Sequence, residues 1–163
     1  MWAVVVAAGV ALSPSVRSTD PLIAEALADT IQQSTGVRRL VDIIEDSNLI
    51  VYLARGDCPK PAIACLMIAG GSADVRYVRI NFRLPEGLGQ ARAWRRSDLS
   101  VSIAHELQHA AEIALWPEVV DGETLQAAYG RRGLDRGGRR LDTDAAIDAG
   151  EARHAELVRE RRR

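Results

Sequence analysis

Residues Ser102–Ile113 read SIAHELQHAAEI, and the fold and chemistry of the chain turn on this stretch. It holds two of the three histidines of the chain in a His-Glu-x-x-His pattern. On an α-helix His105 and His109 lie one turn apart on the same face, ~6 Å along the axis, so both imidazoles can reach one ion. Imidazole suits zinc, and a catalytic zinc usually takes three protein ligands and a water. Glu106 is rotated ~100° around the helix from His105, which sets a carboxylate beside the ion rather than on it. There it can take a proton from a metal-bound water whose pKa zinc brings towards ~7. Leu99, Ile103, Leu107, Ala110 and Ala114 make an apolar stripe away from the histidines, so an amphipathic helix is expected. The plainer alternative is a surface helix carrying two solvated histidines.

The pattern leaves a third ligand to find. Glu112 is three residues past His109 but seven from His105, ~10.5 Å along the axis, too far to share the ion. Its expected role is to hold His109 in the correct tautomer; a solvated helix carboxylate is the alternative. A metzincin would need a third histidine at position 115, where this chain has Leu115. The remaining candidates are Asp142, Asp144, Asp148, Glu151 and His154 in the last helix. A carboxylate from a separate downstream helix, as in gluzincin-type sites, favours Asp142, with Glu151 as the alternative ligand. An aspartate at a helix start is also commonly just an N-cap. His154 reads as a surface histidine or, failing that, a ligand or transition-state donor. Tyr129 is either a core aromatic or a donor to a developing oxyanion.

The whole chain sets the limits. At 163 residues it is about one domain long and can bury roughly 70% of its unfolded surface. A net charge of −1 gives no global attraction to nucleic acid or anionic membranes. Lys60 is the only lysine, so the arginines reflect a compositional bias and are not counted as phosphate ligands. The apolar run Trp2–Leu12 falls short of the ~20 residues a membrane span requires. Residues 1–14 read either as a signal peptide with a shortened start or as an apolar N-terminal segment, and 15–163 as a single domain. Cys58 and Cys65 are the only cysteines. They would bridge a short loop in an exported chain and stay free thiols in the cytosol. A secreted or periplasmic location is favoured over a cytoplasmic one, and oligomeric state is not legible.

Along the chain, Asp20 as N-cap and Pro21 at the first helical position predict a helix over 20–34, with a second over 37–46. Strands are expected at 48–54, 62–69 and 75–84. The last alternates Val78, Ile80, Phe82 and Leu84 against Arg79, Asn81 and Arg83, as an exposed edge strand would. Ser97 or Asp98 should cap the His-Glu-x-x-His helix, which Pro117 stops. Asp121 should cap a further helix, an Arg/Gly-rich loop is expected at 131–140, and a last helix should start near Asp142. The order is α+β, with a small sheet of three strands or more between N-terminal and C-terminal helices.

The segments VRSTDP, DIIEDSNLIVYLARG, RYVRINF, SIAHELQHAAEI and DTDAAIDAG together resemble a family of small, largely uncharacterised bacterial proteins. That family carries a His-Glu-Leu-Gln-His-Ala zinc-peptidase signature. The resemblance implies a zincin-like fold, one Zn2+ per chain and a gluzincin-like peptidase activity on a peptide or protein substrate. The family pattern has a glutamate before the threonine of the last segment, where this chain has Asp142, one methylene shorter. The expected function is therefore a zinc metallopeptidase using His105, His109 and Asp142 as ligands and Glu106 as general base. The competing expectation is a metal- or peptide-binding module of the same fold without turnover.

Overall fold

The computed structural model describes residues 13–84, 96–132 and 142–162. Helix α1 (Pro21–Gln33) starts where the sequence places it: the Asp20 carboxylate accepts from the Leu22 and Ile23 amides at 3.0 and 3.2 Å. Ser34 then ends α1 and caps α2 (Thr35–Glu45), its hydroxyl accepting from Val37 N. Both helices bury one apolar stripe, Ile23, Ala26 and Leu27 from α1 and Val37, Val41 and Ile44 from α2.

Four strands form one mixed sheet in the order β1-β2-β4-β3. They are β1 (Val16–Ser18), β2 (Leu49–Arg55), β3 (Ala64–Gly71) and β4 (Arg76–Phe82). Strands β1, β2 and β4 run parallel, and β3 is antiparallel to β4. The three expected strands are present, and β1 adds a fourth that pairs Val16 with Val51. One expectation is corrected. Strand β4 is not an edge but lies between β2 and β3, and the edges are β1 and β3. The error lay in reading exposure from alternation alone: Asn81, on the polar side of β4, is only 7% exposed. Its side chain accepts from Arg79 Nε and donates to Asp57 O.

The alternation that buries Val78, Ile80 and Phe82 also buries Arg76, which is 1% exposed. Its guanidinium donates to the carbonyls of Ile113, Ala114, Trp116 and Val119 and to Asn48 Oδ1. Those carbonyls end α3 (Arg96–Ala114) and the turn after it, where a helix has unsatisfied acceptors and partial negative charge. The buried cation is thereby solvated by fixed acceptors, and the helix that carries His105 and His109 is fastened to an interior strand. Because α3 already includes Arg96, neither Ser97 nor Asp98 caps it.

Helix α3 is more enclosed than an amphipathic surface helix. Besides the expected stripe, Ala104, Ala111 and Ile113 are buried, because α1, α2, β3 and α5 (Asp144–Glu160) all pack on it. Helix α5 approaches through Ala146 and Gly150; a Cβ at 150 would lie 3.6 Å from His105 Cβ. Deeper along α5, Arg153 is 2% exposed. It joins three helices by donating to Ser100 Oγ and Gln33 Oε1 and pairing with Glu156 and Glu160. Between α3 and α5 lies α4 (Gly122–Arg131), opened by a reciprocal capping box of Asp121 and Thr124.

Cys58 and Cys65 form a disulfide that closes the loop between β2 and the start of β3. No helix among the described residues is long and apolar enough to cross a membrane. The apolar run 2–12 lies outside the described residues, as does the Arg/Gly-rich loop expected at 131–140 from residue 133 on, while Arg131 and Arg132 end α4.

Candidate metal centre

Three side chains from two elements converge. His105 and His109 come from one face of α3, and Asp142 comes from the residues leading into α5. Their ligand atoms all lie within 4.8 Å of one another. Asp142 Oδ1 is 3.0 Å from His105 Nε2 and 3.6 Å from His109 Nε2. That oxygen is buried, and at 3.0 Å His105 Nε2 donates to it only when the imidazole carries its proton there. An oxygen held in this way is costly unless something positive meets it. Two imidazole nitrogens and one carboxylate oxygen this close together could hold a metal ion, and such a donor set is of the kind that suits zinc.

The back of His109 is closed. Its Nδ1 lies 3.3 Å from Glu112 Oε2 and 3.1 Å from Tyr129 Oη, and the Tyr129 hydroxyl donates to Glu112 Oε2 at 3.4 Å. With the carboxylate accepting from both, the proton of the imidazole belongs on Nδ1 and the lone pair on Nε2, toward Asp142. Burial draws the pKa of His109 down, but the bond to Glu112 and the charges of Glu106, Glu112 and Asp142 outweigh it, so the net shift is upward. His105 moves the other way, chiefly by burial and by the neighbouring His109, against a raising contribution from Asp142 and from a hydrogen bond to the Ala146 backbone. Burial would raise Glu112, yet its bonds to His109 and Thr143 hold it below the usual carboxylate range.

Glu106 is 6% exposed. Burial, reinforced by Asp142 and opposed by His109, pushes its carboxyl up to about 7. A carboxyl poised near neutrality beside a cluster of ligand atoms has the proton affinity of a general acid–base.

The other expected residues are distributed differently. Asp142 does not cap α5; the adjacent Thr143 does, accepting from Ala146 N at 3.1 Å. Glu151 and His154 are exposed on α5 and stand outside the cluster. Asp144 and Asp148 are likewise exposed and outside it. Tyr129 is 2% exposed, with its pKa raised by burial and by Glu112. Its hydroxyl sits on the Nδ1 edge of His109, away from the side facing Asp142, where it buttresses the imidazole. Trp116 packs edge-on against Tyr129 at 5.4 Å, and the Arg132 guanidinium lies 4.2 Å above Trp116.

Thr143 was missed by sequence reasoning. Its hydroxyl donates to Glu112 Oε1 at 2.8 Å. The signal was legible: a threonine directly before an Asp-Ala-Ala helix start is a strong N-cap.

No protein-family profile, curated protein or solved structure matches the chain.

Proposed function

We propose that the chain is a zinc-dependent metallopeptidase of gluzincin-like zincin fold, with His105, His109 and Asp142 as the ligands of one zinc ion and Glu106 as general base. The observation that carries this reading is the convergence of the three ligand atoms to within 4.8 Å of one another, with Glu106 one residue from His105. Zinc bound there supplies a Lewis acid for a substrate carbonyl and acidifies a coordinated water. Glu106 accepts the proton of the attacking water and returns it to the departing amine, which its near-neutral pKa permits in both directions. Glu112 and Tyr129 keep the lone pair of His109 Nε2 directed at the ion.

An extended peptide fits the architecture as substrate. Strand β3 is one of the two outer strands of the described sheet and packs on α3, the helix that carries His105 and His109, so β-augmentation along it would lay a peptide against the same layer of the fold. The Cys58–Cys65 disulfide favours action outside the reducing cytosol. The test is hydrolysis of a mixed peptide library by zinc-loaded protein, read by mass spectrometry, beside the Glu106→Gln variant. The reading expects cleavage by the wild type and at least a ~100-fold loss in the variant, with zinc retained. Peptide binding without cleavage by the wild type would instead make the chain a binding module.

A further inference from the structure

Two of the three proposed ligands are fixed by one helix, but Asp142 is not. It precedes α5, and a carboxylate must be held within about 0.5 Å of its productive place to complete a metal site. We infer that Thr143 is the positioning residue that brings Asp142 to the histidines, acting through a hydrogen bond to Glu112. This inference rests on the metal centre proposed above.

The hydroxyl of Thr143, a residue only 3% exposed, uses both its capacities. As acceptor it takes Ala146 N at 3.1 Å, which starts α5; as donor it gives its proton to Glu112 Oε1 at 2.8 Å. The other oxygen of that same carboxylate faces His109 Nδ1. A continuous path therefore runs from Asp142 through the peptide to Thr143, across to Glu112 and on to His109. One carboxylate of α3 sets the direction of a ligand on its own helix and also grips the residue adjoining the ligand from another element. A helix cap alone needs only the acceptor; the donor half reaches across to α3, and a hydroxyl bonded to a carboxylate is among the stronger hydrogen bonds. Gln108 Nε2 is a weaker second donor to Glu112 Oε1, at 3.4 Å, so nothing else in the cluster replaces the short contact from Thr143.

The two halves of the role can be separated. Aspartate is as good an N-cap as threonine but, ionised, has no proton to give Glu112, whereas serine keeps both functions. The experiment is a zinc titration by competition with a chromophoric chelator on the wild type, Thr143→Ser, Thr143→Asp, Asp142→Asn and the Thr143→Asp/Asp142→Asn double variant, each checked for folding by circular dichroism and thermal melting. Thr143→Ser should bind zinc within about twofold of the wild type, and Thr143→Asp about 10–100-fold more weakly, the range for residues that orient ligands. In the Asp142→Asn background Thr143→Asp should cost clearly less than in the wild type, because the ligand carboxylate it positions is gone and only the path through Glu112 to His109 is left. Should Thr143→Asp prove misfolded, Thr143→Val against Thr143→Ser still tests the hydroxyl within the same cycle, though it removes cap and donor together, and the thermal melts report the lost cap. Wild-type affinity in folded Thr143→Asp, or additive losses in the double variant, would overturn the inference while leaving the metal centre intact. A wild type that takes up no zinc would overturn the metal centre itself, and the inference with it.

Discussion

Replacing Glu106 by glutamine should stabilise the metal-free protein, and by an amount that depends on pH. The carboxyl has an ordinary pKa of 4.5 and is pushed up to about 7 by burial in the folded chain. Below pH 4.5 it is protonated in both folded and unfolded chains and costs nothing. Between pH 4.5 and 7 the unfolded chain releases its proton while the folded chain keeps it, so stability falls as pH rises. Above pH 7 the deficit is constant. A difference of about 2.5 pH units corresponds to ~3 kcal/mol, and the side chain is too buried for solvent to screen much of it. Glutamine cannot ionise, so Glu106→Gln removes the deficit: a gain of ~3 kcal/mol at pH 8 but under ~1 kcal/mol at pH 5. For a chain of this length that is a melting temperature raised by roughly 5–10 °C at pH 8. Urea unfolding of wild type and variant at both pH values, with chelator present, measures it. A gain equal at pH 5 and pH 8 would refute the buried-acid argument, since any packing change from the amide is pH-independent. Added zinc should shrink the difference, because a nearby dication favours the ionised carboxylate.

Other outcomes follow from the same geometry. Asp142→Asn should weaken zinc binding by more than the ~10–100-fold typical of outer partners, whereas Glu151→Gln, on the exposed side of α5, should leave it unchanged; chelator competition distinguishes them. Arg76→Met orphans carbonyls at the end of α3 and should cost roughly 3 kcal/mol or more, measured as a lower urea midpoint. Reducing the Cys58–Cys65 disulfide opens a short loop and should cost about 2 kcal/mol, seen by comparing urea unfolding with and without a reductant.

The parts legible in the sequence are those where local chemistry decides. Asp20 before Pro21, and Asp121 with Thr124, mark helix starts because caps act over three residues. His105, Glu106 and His109 were readable for the same reason: one turn of helix fixes their relation. Strand order was not. Pairing β4 between β2 and β3 is decided by contacts far apart in the chain, and β1, at three residues, is too short to show a period. Arg76 lay on the apolar side of its strand by simple alternation, which demanded a buried partner, but which carbonyls would serve depended on where α3 ended. Asp142 could be preferred from its place in the chain but not positioned, because its approach to the histidines depends on α5 docking through Ala146 and Gly150. Thr143 was visible as a cap and invisible as a donor to Glu112, a contact across 31 residues of chain.

The most direct test of the account is the zinc content of the purified protein, prepared without added metal or chelator and measured by elemental mass spectrometry beside the His105→Ala/His109→Ala variant. Near one zinc per wild-type chain and none in the variant is the expected result. A wild-type chain free of zinc that also fails to take it up on reconstitution would overturn the metal centre, leaving a partly buried histidine pair with no ion to serve.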